Sequence, residues 1–226
     1  MPARLLFLDP HAAADAMTFA GRASRLAEDA VRLQAAGGTL AMTAAPLAPR
    51  GLLDSTPTVL ALRALPVDPE LECDIVVTAS ALSPSADDAA AIDLPESAQS
   101  AAWAGISPPR SGWTELPGIT ASTLAERAQW GIAAVAEGMP QNAGEDAVRA
   151  IRASVWGAPD AQMDDLPRGA AFAAFAMGFV AGEETARVLT SGPWTRLTLA
   201  RGHVLVRGPV RSGLTAVRAT GSPTAR

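Results

Sequence analysis

Between Trp194 and Val206 the chain reads WTRLTLA, Arg201-Gly202, HVLV, two alternating runs joined by two residues of which the second is glycine. That spacing specifies a β-hairpin, because a two-residue connection carrying glycine matches the twist of the strands it joins. With Arg201-Gly202 as the turn, Ala200 faces His203, Leu199 faces Val204 and Leu197 faces Val206, which makes that side the buried one. The other side then carries Trp194, Arg196, Thr198, His203, Leu205 and Arg207, with Arg196 directly opposite Arg207. Like charges so placed oppose pairing by roughly 0.2–1 kcal/mol, so a carboxylate, water or a bound anion is expected between them.

The rest of the chain extends this pattern. VRLQAA, Gly37-Gly38, TLAMTAA is a second hairpin signal, and strands are expected at 4–8, 59–65 and 71–82, with a short one in AIDLP. Asp9-Pro10 reads as a cap and first turn of a helix running to about Ala30, with Phe19, Ala23, Leu26 and Ala30 on its buried face. In the second half, Thr123 with Glu126 opens a helix to about Gly138, and Asn142 with Glu145 opens another to about Trp156 that lines up Val148, Ile151 and Val155. A third helix, from near Pro167 to Gly182, places Phe172, Phe175 and Phe179 as a core stripe. ARVLT precedes the hairpin and LTAVRAT (214–220) follows it. The fold class expected is α+β: antiparallel sheet built from hairpins, with helices packed on one face.

The two hairpins also match each other as text. Arg32 aligns with Arg196, Leu33 with Leu197, Ala36 with Ala200 and Gly38 with Gly202, and ALRA at 61–64 then pairs with AVRA at 216–219. A duplicated helix plus β-meander unit would produce this. The organisation expected is an N-terminal half (1–82), a connecting segment rich in Ser, Pro and Ala (83–118) and a C-terminal half (119–226), within one compact unit. Trp103 and Trp113 lie in the connector and are expected to pin it to the body.

Composition narrows function more by exclusion. A net charge of -5 argues against a nucleic-acid partner, which calls for a concentrated basic surface. All 18 basic residues are arginine and tyrosine is absent, so Schiff-base lysines, phosphate-loop lysines and tyrosine acids are excluded. The single cysteine, Cys73, leaves no internal disulfide or cysteine-built zinc cluster and reads as a small buried hydrophobe. The apolar core of MPARLLFLDPH is too short for a secretory signal. The run from Gly169 to Gly182, about 14 residues, is too short to span a bilayer. The expectation is a cytoplasmic chain with no membrane partner.

The stretch AAPLAPRGLLDSTPTVLALRAL resembles a group of uncharacterised proteins from high-GC Gram-positive bacteria, mainly over residues 31–65. No activity attaches to that group; the resemblance implies a bacterial, cytoplasmic origin and supplies no site residues.

Chemistry-bearing groups are few. His11 sits beside Asp9 at a helix start, where two side chains alone do not make a metal site. His203 lies on the polar hairpin face without a nucleophile elbow to serve. Glu70, Glu72 and Asp74 alternate along a strand and read as a solvated edge, and Asp160, Asp164 and Asp165 as a cap plus exposed charge. No cofactor and no metal is implied. The arginines are the one group with a shared theme: Arg32, Arg63, Arg196, Arg207 and Arg218 fall in or beside strands and, with His203, could form a basic wall for a carboxylate or phosphate, or else pair with acids on the facing helices. The leading functional expectation is a non-catalytic interaction or scaffold protein that self-associates as a homo-oligomer, with a protein partner also open. The alternative is a binder of, or enzyme for, a small anion on the arginine-bearing sheet face.

Overall fold

The computed structural model describes residues 4–51 and 53–208. Strand β1 (Arg4–Leu6) leads into α1 (Pro10–Ala23), followed by β2 (Val31–Ala36), β3 (Thr39–Leu47), β4 (Thr58–Pro66) and β5 (Cys73–Val77). The short strands β6 (Ser83–Pro84) and β7 (Ala91–Asp93) precede β8 (Thr114–Thr120), α2 (Ala121–Glu137) and α3 (Glu145–Gly157). Two-residue strands β9 (Pro159–Asp160) and β10 (Leu166–Pro167) bracket a turn before α4 (Gly169–Ala176). Then come β11 (Thr185–Ser191), β12 (Trp194–Leu199) and β13 (Gly202–Arg207).

Eight strands form one antiparallel sheet in the order β5-β2-β3-β4-β13-β12-β11-β8, and β1-β7-β6 make a small separate sheet. Alternation decides which side is buried. Leu33, Leu40, Met42, Val59, Ala61, Leu197 and Val204 point to one face and are all fully buried with Ala16 of α1, Leu124 of α2 and Ala170 of α4. The fold is thus α+β, mixed helix and antiparallel sheet, with the helices on that face.

The hairpin between β12 and β13 keeps the expected faces but not the expected partners. Its turn is Ala200-Arg201, so Leu199 faces Gly202, Leu197 faces Val204, Arg196 faces Leu205 and Trp194 faces Arg207. The slip preserves side-chain parity, because it moves each partner by two residues. Glycine at 202 answers to packing rather than to the turn: a Cβ there would stand 2.6 Å from Cζ of the buried Phe179. In the first hairpin the turn is Gly37-Gly38 as read, both with positive φ (55° and 77°), and Ala36 faces Thr39.

Helix boundaries move for local reasons. Asp9 caps α1, its Oδ1 accepting the His11 and Ala12 N–H groups at 2.8 and 2.9 Å, but the helix stops at Ala23, well short of Ala30. Thr120, not Thr123, caps α2, accepting the Thr123 N–H at 3.2 Å. Gly144 rather than Asn142 precedes α3, with no side-chain cap. Past Ala176 the chain turns at Gly178, whose φ of 66° ends the helix well before Gly182. The phenylalanine stripe is accordingly divided: Phe179 is buried, Phe172 stacks on Trp156 at 4.4 Å, and Phe175 is 38% exposed.

Sheet order also bears on the repeat. Strand β13 has β12 on one side and β4 on the other, as β3 has β2 and β4. By position in the sheet, β2-β3-β4 corresponds to β11-β12-β13. The antiparallel β4–β13 pair lies at the centre and an edge strand, β5 or β8, at each end. The stretch 214–220, and with it Arg218, lies outside the described residues.

Candidate functional site

The structure brings together three of the arginine-wall positions and separates a fourth. Arg196, His203 and Arg207 share the sheet face away from the helices, with Arg196 and Arg207 diagonal rather than opposite. Arg63 faces Met42 on the helix side, where it pairs with Asp15 of α1 and donates to the Arg201 carbonyl. The continuous basic wall is therefore absent from the described residues: alternation along β4 sends Arg63 to the side opposite Leu62, and Leu62 is the partner of His203.

Nor is the outer face open at its centre. Trp103 and Trp194 pack with Ala30, Ala45, Leu60 and Leu205 into a second apolar cluster, with Ile106, Leu62 and Trp113 around it. Trp103 Nε1 donates to Glu28 Oε2 at 2.7 Å and its buried ring pins the segment to the body as expected, whereas Trp113 Nε1 bonds the Pro109 carbonyl of its own segment at 3.0 Å and only its partly buried ring meets the cluster. The Arg196 guanidinium lies 4.9 Å over the Trp113 ring, and its Nε is buried with no hydrogen-bond partner. None of the ion pairs among the described residues includes Arg196 or Arg207. His203 meets Thr198 Oγ1 through Nδ1 at 3.1 Å; burial, and then the charges of Arg196 and Arg63, push its pKa below the ordinary histidine value. A neutral imidazole so placed supports the strand pair and is poorly disposed to take up a proton.

Other titratable groups have structural partners. Arg32 grips Asp74 with Nε and Nη2, both at 2.7 Å, and holds its carboxyl below the usual range. Burial pushes the Cys73 thiol up, away from a reactive thiolate. Asp160 is 5% exposed and accepts from the Gln162 N–H at 3.0 Å and Arg168 Nε at 3.2 Å, with Arg127 at 4.0 Å. Asp164 and Asp165 both adopt left-handed backbone, φ 51° and 58°.

Several large apolar side chains stand exposed on the helical layer of the C-terminal half. On α2, Trp130 is 45% and Ile132 43% exposed, with Ala133 and Ala136 exposed beside them, and Phe175 protrudes from α4. On α3 the stripe of Val148, Ile151 and Val155 is only half-buried. Trp130 carries the Arg168 guanidinium 4.4 Å over its ring, and Glu126 and Glu137 stand exposed on α2. The sequence gives α3 its face correctly but carries no sign that the layer around it ends there.

No curated protein matches the chain. Among solved structures, it is similar to a DNA polymerase sliding clamp from Caulobacter crescentus (15% identity, TM-score 0.47, covering 99% of this chain and 70% of that one). It is also similar to C. crescentus pol III beta (14% identity, TM-score 0.48, covering 98% and 69%). Residues 1–105 match the family model described as Domain of unknown function (DUF8010), and residues 108–211 match Domain of unknown function (DUF8185). The two matches meet inside the tryptophan-bearing segment, so that β5-β2-β3-β4 falls in the first and β13-β12-β11-β8 in the second. The chain is a pair of adjoining units, one matching each of these two families, joined into a single sheet.

Proposed function

We propose that this chain is a non-catalytic interaction protein that self-associates, using the α2–α4 layer as its contact surface. The observation that carries this is the exposure of Trp130 and Ile132 on α2 and of Phe175 on α4, each 38–45%. Large apolar side chains left open on two packed helices mark a surface that another molecule can cover. A second copy fits because the layer carries both signs of charge beside its apolar side chains: Arg168 against Glu126 and Glu137. A twofold contact can set each against its opposite. About 40% of each of three side chains remains to be buried, worth about 1 kcal/mol apiece. Two copies together gain about 6 kcal/mol before association costs. That corresponds to a dimer no tighter than tens of micromolar. Nucleic acid is not a partner in this reading, given the net charge of -5.

Sedimentation equilibrium from about 10 µM to about 1 mM, the range that brackets this affinity, tests the proposal. The parent should pass from monomer toward dimer, and the double variant Ile132→Glu, Phe175→Glu should remain monomeric with an unchanged far-UV spectrum. A parent that stays monomeric throughout, or a double variant that dimerises as the parent does, overturns it.

A further inference from the structure

Arg22 belongs to α1 and Arg201 to the β12–β13 turn, each far in sequence from Arg63. In the fold all three line one cleft of about 220 Å³ between α1, the β12–β13 turn and the chain just after α4, together with Asp15, Thr18 and Gly178. Three guanidinium groups and one carboxylate line it, and with the Glu184 carboxylate bonded to the adjoining Ala200 N–H the balance is still positive, in a chain whose net charge is -5.

The three arginines hold different positions in the charge balance. Arg63 is paired: Nε and Nη2 bond Asp15, and Nη1 bonds the Arg201 carbonyl, so this pair is neutral and serves as a brace. Arg22 donates one N–H, from Nη1 at 2.6 Å, to the Met177 carbonyl that closes α4. Its other donors and its charge are unmatched by any carboxylate among the described residues. Arg201 is exposed on a turn fixed from two sides, by Arg63 at its carbonyl and by Glu184 Oε2, which accepts the Ala200 N–H at 2.9 Å. Carbonyl capping alone accounts for one of Arg22's five donors and leaves Arg201 with no account at all.

The seat for Arg22 is built with some specificity. Gly178 has φ 66°, which favours glycine, and Arg22 Nη2 would stand 2.6 Å from a Cβ there, so the guanidinium lies directly against this bare stretch of backbone. A preformed cleft with two uncompensated guanidinium forks suits a dianion better than a monocarboxylate, since fork geometry and charge are then both matched. The volume leaves room for one tetrahedral anion and some water, at about 30 Å³ per water.

We propose that this cleft binds a phosphate group, free or as the head of a small phosphomonoester, between Arg22 and Arg201, with the Arg63–Asp15 pair as its floor. The site is independent of the helical contact surface and shares only Arg63 with the sheet face first considered.

Titration calorimetry of the full chain with inorganic phosphate, and separately with glycerol 3-phosphate, tests this. Saturable one-to-one binding is expected, weakened at least about tenfold by Arg201→Ala, an exposed position whose loss leaves the fold intact, and similarly by Arg22→Ala. Tighter binding of the monoester than of phosphate identifies an esterified ligand, and the reverse identifies the free ion; both support the site. Absence of saturable binding to either, or binding that both variants retain at parental strength, overturns it. Because Arg22→Ala also removes the bond to Met177, its melting curve is read alongside, and the exposed Arg201→Ala decides any disagreement.

Discussion

Gly131→Ala is the substitution on which propensity and packing disagree most clearly. Gly131 lies buried in the middle of α2, where alanine in place of glycine ordinarily stabilises by about 1 kcal/mol through backbone entropy. Here the new Cβ would stand 2.6 Å from Cη2 and 3.1 Å from Cε3 of Trp156. That ring is 2% exposed and stacked on Phe172 at 4.4 Å with 22° between planes, so it has no open side to retreat toward. Overpacking of a rigid neighbour costs about 1–3 kcal/mol, and a buried ring already stacked on another ring belongs in the upper half of that range. The net expectation is a loss of about 1–2 kcal/mol, or a fall of about 2–8 °C in Tm for a chain of this size. Gly21→Ala on α1 is the control, being exposed with nothing within 4 Å of the added atom, and it should gain about 0.5–1 kcal/mol. Thermal melts at one fixed protein concentration compare the two. If Gly131→Ala raises Tm as Gly21→Ala does, the close fit of α2 on Trp156 is wrong.

Two further outcomes follow from the outer face. His203 has a native pKa below its ordinary value of about 6.5 through burial and neighbouring arginines, so the unfolded chain takes up its proton first on acidification. Its share of stability is complete above about pH 6.5 and declines as pH falls toward the lowered native value. Urea melts across that window should show the decline shrinking in His203→Gln, and an unchanged decline would count against it. Trp103→Ala removes a 2% exposed ring and its bond to Glu28, at a cost of about 3–5 kcal/mol. Hydrogen exchange should then rise first around residues 99–106, where the Gln99 N–H bonds the Val76 carbonyl at 2.7 Å; uniform protection loss would refute the local role of the ring.

What could be read in advance depended on periodicity. The faces of β12 and β13 were legible because alternation survives a two-residue slip, and Gly37-Gly38 was legible because a positive φ leaves a local trace. Gly202 misled because its reason lies in Phe179, a tertiary neighbour with no local signature. Arg63 was identified as a strand arginine but assigned to the wrong company, since deciding its side required the register of β4 against β13. Arg22 and Arg201 escaped notice because they meet only when α1 is laid across the far hairpin's turn.

The β4–β13 ladder is where the two family units touch as strands, and its residues Val59, Leu60, Ala61, Val204, Leu205 and Val206 are all nearly fully buried. A gene divided at that join would yield two products, each ending in a bare greasy rim that water cannot satisfy. Such fragments must find one another or clump.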